Sequence, residues 1–155
     1  MRTRRPSSNF IFDPSLVLYL PLYKLDGASF MSKDAYGHLA TVTGALWTPQ
    51  GRSFDGIDDE ISIPDATSIR VVEGDFTCCV WVKFTKNVAW QGIISKKQTS
   101  NLKGWVILKK SDNYFSIWIG DASGSGEINA DSTSTDTNWH FLVGRKASGT
   151  TRLFV

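Results

Sequence analysis

The clearest pattern along the chain is a strict alternation of apolar and polar side chains over residues 76–84. Every second position is apolar: Phe76, Cys78, Val80, Val82 and Phe84. The positions between them carry Thr77, Cys79, Trp81 and Lys83. Because the side chains of a β-strand point alternately to its two faces, this period predicts a strand with one face in the core.

Further short segments with strand character follow at regular spacing. We predict strands at residues 38–43, 91–95, 104–109, 114–120, 127–130, 139–145 and 152–155. Residues 16–20 form a continuous apolar run, which predicts a strand packed on both faces. Residues 65–74 are expected to hold one helical turn or a loop, and no window has the sustained 3.6-residue period of a helix.

Residues 53–65 contain the strongest turn signal, in the sequence Ser-Phe-Asp-Gly-Ile-Asp-Asp-Glu-Ile-Ser-Ile-Pro-Asp. Asp55 and Gly56 tolerate the positive φ angles that hairpin turns require. Since apolar alternation flanks them on both sides, this block predicts a β-hairpin. Turns are also expected at residues 48–51 and at the loop 146–150.

These elements predict an all-β fold, a two-layer antiparallel β-sandwich or jelly roll. A chain of 155 residues with 41% hydrophobic content is long enough for one core and too short for two ordinary domains. We therefore expect a flexible basic arm at residues 1–14 and one sandwich domain at residues 15–155.

Composition and charge exclude several classes of partner. The net charge is +2, so we expect no specific nucleic-acid binding. No stretch reaches the ~18 apolar residues of a membrane span. No apolar run follows the basic residues at positions 2–5, so no signal peptide is recognisable.

The only cysteines, Cys78 and Cys79, are neighbours on a strand and point to opposite faces, so they are not expected to pair.

Several short motifs, in order along the chain, resemble the laminin-G-like jelly rolls of the concanavalin-A-like lectin/glucanase group. They are Leu-Tyr-Leu-Pro-Leu at 18–22, Tyr-Gly-His at 36–38, Phe-Asp-Gly-Ile-Asp-Asp from 54, Gly-Asp-Phe-Thr from 74 with Trp-Val-Lys from 81, Ile-Ile-Ser-Lys at 93–96, Asn-Trp-His-Phe-Leu-Val at 138–143 and Arg-Leu-Phe-Val at 152–155. The resemblance implies a jelly-roll sandwich and a recognition module of secreted or surface type.

The sequence departs from the family at its end, because relatives usually continue past the last strand. Here the last residue, Val155, falls within a predicted strand. An open sheet edge has unpaired backbone groups that favour association. We therefore expect a domain truncated at its C-terminus, with self-association or strand complementation at the open edge.

Catalytic chemistry is not expected from the carboxylates. Glycosidases on related jelly rolls use a pair of Glu or Asp residues spaced along one strand. The only glutamates, Glu60, Glu73 and Glu127, are not part of an E-x-D-x-x-E arrangement. The sequence therefore predicts a protein that is not an enzyme and requires no cofactor.

A calcium site is the metal centre that the sequence favours. Asp55, Asp58 and Asp59 supply clustered hard oxygen ligands of the kind Ca²⁺ prefers. The alternative interpretation is that Asp55 and Asp58 cap the turn through backbone hydrogen bonds, while Asp59 is solvated.

Tryptophan is abundant, with six residues in the chain. Trp90 lies in a predicted loop with Asn87 and Gln91, and Trp81 lies opposite the apolar face of its strand. We predict these four residues as ligand-binding, because an indole ring stacks on the apolar face of a sugar. The alternative is that any one tryptophan fills the core.

The sequence is compatible with two functions. The first is a non-catalytic recognition module that binds glycan or protein ligands through loops at the sandwich rim, as part of a larger adhesive surface assembly. The second is a phage-like virion decoration or tail-associated structural protein. Both imply an extracellular, surface or virion-associated location.

Overall fold

The computed structural model of the protein describes residues 10–70, 74–85, 90–97, 103–110, 114–120, 127–132 and 136–155. Its strands are β1 (Ser29–Met31), β2 (Leu39–Thr43), β3 (Leu46–Thr48), β4 (Gly51–Ser53), β5 (Glu60–Ser62), β6 (Phe76–Lys83), β7 (Gln91–Ser95), β8 (Gly104–Lys109), β9 (Phe115–Gly120), β10 (Glu127–Asp131), β11 (Trp139–Ala147) and β12 (Thr150–Phe154). Short 3₁₀ turns lie at Phe10–Phe12 and Thr67–Ile69.

The strands pair antiparallel, and the all-β class is confirmed. Within these ranges, no helix has the length and apolar character needed to cross a membrane.

The chain forms two compact units, Met1–Ile69 and Arg70–Val155. In the first unit, β2 lies between β1 and β5, and β3 pairs with β4. Phe30 of β1 pairs with Ala40 of β2, and both are buried. The predicted turn between β3 and β4 is confirmed, because Thr48 pairs directly with Gly51.

Residues 16–20 do not form a strand, so that prediction was wrong. The N–H of Tyr19 donates to Oδ2 of Asp34 at 2.9 Å, so a side-chain carboxylate takes the place of a neighbouring strand's carbonyl. The other oxygen of Asp34 accepts from the N–H groups of Tyr36 and Gly37. A hydrogen bond to the side chain of Asp34, fifteen residues farther along the chain, therefore replaces a strand ladder at Tyr19.

The hairpin predicted within residues 53–65 was also wrong, although its turn is present. Gly56 has the positive φ that was expected, at +80°. However, β4 ends at Ser53 and pairs with β3, whereas β5 begins at Glu60 and pairs with β2. The loop at residues 54–59 therefore connects two different sheets.

The second unit is a two-layer sandwich. One layer has the strand order β10-β9-β8-β7, and the other has the order β12-β11-β6. The buried centre consists of Trp105, Ile107, Phe115, Ile117, Ile119 and Leu142. The alternate apolar residues of β6 pack against this centre, so the predicted inward face of that strand is confirmed.

Gly144 of β11 marks a close approach of the two layers. A Cβ at this position would lie 2.5 Å from Cδ1 of Ile117 and 3.1 Å from Cδ1 of Ile107. Since both isoleucines belong to the opposite layer, only glycine lets β11 pack directly against β8 and β9.

A two-residue turn joins β11 to β12 within the predicted loop. Ala147 pairs with Thr150, and φ is +48° at Ser148 and +75° at Gly149. Positive φ at both central positions is typical of a type I′ turn, whose twist suits paired strands. The Ser148 N–H also donates to Oδ1 of Asp75 at 2.9 Å, which ties the turn to the residue before β6.

Candidate functional site

The outward side of the β12-β11-β6 layer carries four exposed aromatic side chains. Trp81 of β6 lies directly opposite Phe141 of β11, and the strand register places Trp139 and Phe154 on the same side. The exposed fraction is 64% for Trp81, 44% for Trp139, 41% for Phe141 and 50% for Phe154. We call these four residues the aromatic face.

The aromatic face follows from the two-residue period of its strands. The inward positions of β6 pack in the core, so Trp81 points outward. Leu142 of β11 is fully buried, and its neighbour Phe141 therefore points away from the core, as does Trp139. Exposed clusters of large apolar side chains mark interaction surfaces.

The outward side of the layer also carries positively charged side chains. Lys83, Arg145 and Arg152 point to the same side of the layer and are exposed. The outward positions of β6, β11 and β12 include no Asp or Glu. This surface therefore presents apolar ring faces together with cationic hydrogen-bond donors.

The two tryptophans predicted to bind ligand are both exposed, but they lie on different surfaces. Trp90 is 57% exposed, has φ of +58°, and contacts Trp118 edge-on with ring centroids 5.7 Å apart. Trp118 alternates with the core residues Ile117 and Ile119, so it points outward from the opposite layer. The structure therefore does not bring Trp90 and Trp81 together.

The other two predicted ligand residues are not part of the aromatic face. Gln91 begins β7 and is half-buried, and its Oε1 is buried without a hydrogen-bond partner in the described part of the chain. Asn87 lies outside the described residues.

Three members of the aromatic face were missed in the sequence. Trp139 and Phe141 alternate with His140 and Leu142, which is the signal that could have placed them outward. Their position beside Trp81 depends on the pairing of β6 with β11, which single-strand patterns do not contain.

The aspartates predicted to bind metal do lie together. Asp55, Asp58 and Asp59 each offer a carboxylate oxygen, and these oxygens lie within 4.8 Å of one another. Asp55 and Asp58 are exposed, and Asp59 is partly buried. We call this group the aspartate triad. It can hold a metal ion such as Ca²⁺, which accepts six to eight oxygen ligands including backbone carbonyls and water.

Hydrogen bonds within the loop pre-position two members of the triad. Asp59 Oδ2 accepts from the Asp55 N–H at 2.8 Å, and Asp55 Oδ1 accepts from the Ile57 N–H at 2.8 Å. The capping residues are therefore Asp55 and Asp59, not Asp55 and Asp58 as predicted. Asp59 also lies directly against the backbone of Gly44, where a Cβ would collide with its carboxylate.

Two other carboxylates of the second unit have structural partners. Asp131 accepts a hydrogen bond from Ser116 Oγ and forms an ion pair with Lys110 Nζ at 3.0 Å. Burial of Asp131 raises its pKa, but these two contacts outweigh burial and hold the pKa below its ordinary value. Asp136 accepts from the backbone and side chain of Asn138 and from His140 Nε2, and these contacts lower its pKa. Both carboxylates therefore favour the ionised form and stabilise local structure.

Two antiparallel layers around one apolar core define the second unit as a β-sandwich, and its outward aromatic surface defines the candidate site. The family model Laminin_G_3, described as the concanavalin A-like lectin/glucanases superfamily, matches residues 55–155. The chain belongs to this family, and its sandwich is of the jelly-roll type. No curated protein and no solved structure matched the chain.

Proposed function

We propose that the protein is a non-catalytic recognition module that binds carbohydrate on the aromatic face, as part of a larger surface assembly. The observation that carries this proposal is the exposed pair of Trp81 and Phe141, whose ring centroids lie 5.0 Å apart. Sugar rings have an apolar side of C–H groups, and adjacent aromatic rings provide a surface on which that side can stack.

The position of the pair on strands supports this function. Sites built on strands hold their side chains more rigidly than sites built on loops. Trp81 and Phe141 are directly opposed in the sheet, so their relative position is fixed by the ladder rather than by ligand binding. The described residues therefore favour the sheet face over the rim loops as the binding surface.

Hydrogen-bond donors close to the rings support a polar ligand. Lys83 pairs with Trp139 across the same two strands, and Thr77 pairs with Arg145 farther along them. A purely apolar ligand would bury these donors without hydrogen-bond acceptors. Each buried donor would then cost about 1–3 kcal/mol of binding free energy. Sugar hydroxyls can accept from them, so the mixture of rings and donors fits a carbohydrate better than an apolar peptide.

The aspartate triad adds a second element to the proposal. A Ca²⁺ ion bound there would order the loop at residues 54–59 in the first unit. Such an ion would have a structural role, because the glycan contacts the aromatic face.

A glycan array with purified protein tests the proposed function. We expect binding to one class of glycan and a loss of about tenfold or more in affinity for Trp81→Ala and for Phe141→Ala. Trp90→Ala is the matched control, because it removes an exposed tryptophan from the opposite layer.

Each variant requires a thermal melt to show that it remains folded. Binding that is lost only with Trp90→Ala would assign the site to the other layer. A purified protein that bound a protein ligand and no glycan would contradict the carbohydrate assignment.

A further inference from the structure

Two arginines lie directly opposite each other at one end of the aromatic face. Arg145 of β11 and Arg152 of β12 are partners in the strand register, and both are exposed. Like charges directly opposite in an antiparallel pair destabilise the sheet. An anion bound between the two guanidinium groups would offset their repulsion.

The arginines line an open depression on the layer. Its volume is about 220 Å³, and it is lined by Arg145, Ala147, Ser148, Thr150 and Arg152. This is smaller than the ~300–1,000 Å³ of sites that enclose a drug-sized ligand. The depression therefore suits one charged group of a larger molecule that extends along the surface.

The positive charge of this arginine pair is not neutralised by the described part of the protein. Neither arginine forms an ion pair with an Asp or Glu among the described residues. The acidic residue tied to the adjoining turn is Asp75, whose Oδ1 accepts from the Ser148 N–H. Its carboxylate is thus held by the turn and does not bridge the two arginines.

The arginine pair is continuous with the aromatic face along both strands. From Arg145, the next outward positions on β11 are Val143 and then Phe141, so Phe141 lies about 14 Å away along the strand. From Arg152, the next outward position on β12 is Phe154. A short oligosaccharide can therefore contact the rings and the arginines at the same time.

We propose that Arg145 and Arg152 form an anion subsite for the carboxylate or sulfate group of an acidic glycan. This inference rests on the proposed carbohydrate function, because the neighbouring sugars of the same chain occupy the aromatic face. Guanidinium groups suit this role, since their planar donors match the oxygens of carboxylate and sulfate.

The experiment compares charged and neutral forms of the same polymers by calorimetric titration. Oligogalacturonate and its methyl ester test the carboxylate, and dextran sulfate and dextran test the sulfate. Wild-type protein should bind one charged form about tenfold more tightly than its neutral counterpart. Arg145→Gln and Arg152→Gln should each abolish most of that preference, because they weaken binding of the charged form much more than binding of the neutral form.

Lys83→Gln is the matched control, because it removes a cation from the same face but outside the depression. It should retain the preference for the charged polymer. An equal loss in all three variants would indicate general electrostatic attraction and would overturn the subsite.

The outcomes separate this inference from the proposed function. If neutral polymers bind and Trp81→Ala abolishes that binding, while charged forms bind no better, only the anion subsite is overturned. If no polymer binds in any form, the anion subsite is overturned, and if the glycan array also shows no bound glycan, the carbohydrate function is overturned as well.

Discussion

Trp81 and Phe141 face each other across β6 and β11 with their ring planes inclined by 33° and their centroids 5.0 Å apart. Both rings are exposed on the outward side of the layer, so their contact lies outside the core. The pair is therefore expected to contribute more to binding than to folding.

A double-mutant cycle measures the contact between these two rings. Trp81→Ala and Phe141→Ala should each reduce the free energy of unfolding modestly, with a coupling energy of about 1 kcal/mol between them. Urea unfolding of the single and double variants checks this value. The control pair, Trp81 with Trp90, should be additive because the two residues lie on different layers. Additivity for Trp81 and Phe141 would mean that the rings do not interact in solution.

Replacement of Gly144 should reveal how closely the layers pack. In Gly144→Ala, the new methyl group collides with Ile117 and Ile107, so the free energy of unfolding should fall by about 1–3 kcal/mol. Denaturant unfolding measures the loss. Gly92→Ala is the matched control, because a Cβ at this strand position of β7 meets no atom within 4 Å. Equal stability of the two variants would contradict the close approach of the layers.

The ionisation of Asp34 should make the stability of the protein depend on pH. Burial raises the pKa of this carboxyl, but hydrogen bonds from Ser32 and from the N–H groups of Tyr19, Tyr36 and Gly37 outweigh burial and hold the pKa below its ordinary value. Since the folded pKa is lower than the unfolded one, the ionised carboxylate stabilises the fold above about pH 4. That contribution is lost as the pH falls through the folded pKa.

Asp34→Asn removes the ionisable group and one strong acceptor. At pH 7 it should lower the free energy of unfolding by about 2 kcal/mol. Because it cannot titrate, it should also flatten the decline in stability between about pH 5 and pH 2. Urea unfolding across this range tests both effects. Parallel curves for the variant and the wild type would show that Asp34 is not the responsible group.

Calcium should stabilise the protein through the aspartate triad. At a Ca²⁺ concentration of about 100 times the dissociation constant, the gain should be about 2.7 kcal/mol, visible as a higher melting temperature that EDTA reverses. Asp58→Asn should abolish the gain without lowering the stability of the metal-free protein, because the loop hydrogen bonds involve Asp55 and Asp59. An unchanged response in Asp58→Asn would rule out the triad as the site.

The two cysteines should differ in their reactivity with alkylating reagents. Burial, with a smaller contribution from Cys79, raises the pKa of the Cys78 thiol to about 12, and Cys78 lies on the inward face of β6. Cys79 is exposed on the outward face, although partial burial raises its pKa as well. Iodoacetamide at pH 8 should therefore give a single slow adduct at Cys79, seen by intact mass. Cys79→Ser should stay unlabelled until the protein is unfolded; labelling of Cys78 in the folded state would contradict its burial.

The sequence predicted strands well where one short segment contained the whole signal. The alternation in residues 76–84 identified β6 and both of its faces, because burial on one side imposes that pattern directly. The outward position of Trp81 followed from the same pattern. The aspartate triad was also predictable, since its members lie within a single loop.

Features that depend on distant pairing could not be read from local patterns. The turn at Gly56 was recognisable, but the pairing of β5 with β2 instead of β4 was not, because either strand offers a suitable edge. Residues 16–20 have the composition of a strand, yet Asp34, a residue in a polar segment, takes the place of a strand partner. Likewise, the grouping of Phe154 with Trp81 depends on a register shared by three strands.

The turn at Ser148 and Gly149 decides what the surface of this layer displays. Its two-residue length fixes Arg152 opposite Arg145 and leaves Phe154 pointing outward. If one residue were inserted and the turn kept its two-residue length, β12 would shift by a single step, turning Arg152 and Phe154 inward and Leu153 toward solvent. The length of this hairpin therefore decides which side chains of β12 are displayed on the outward surface of the layer.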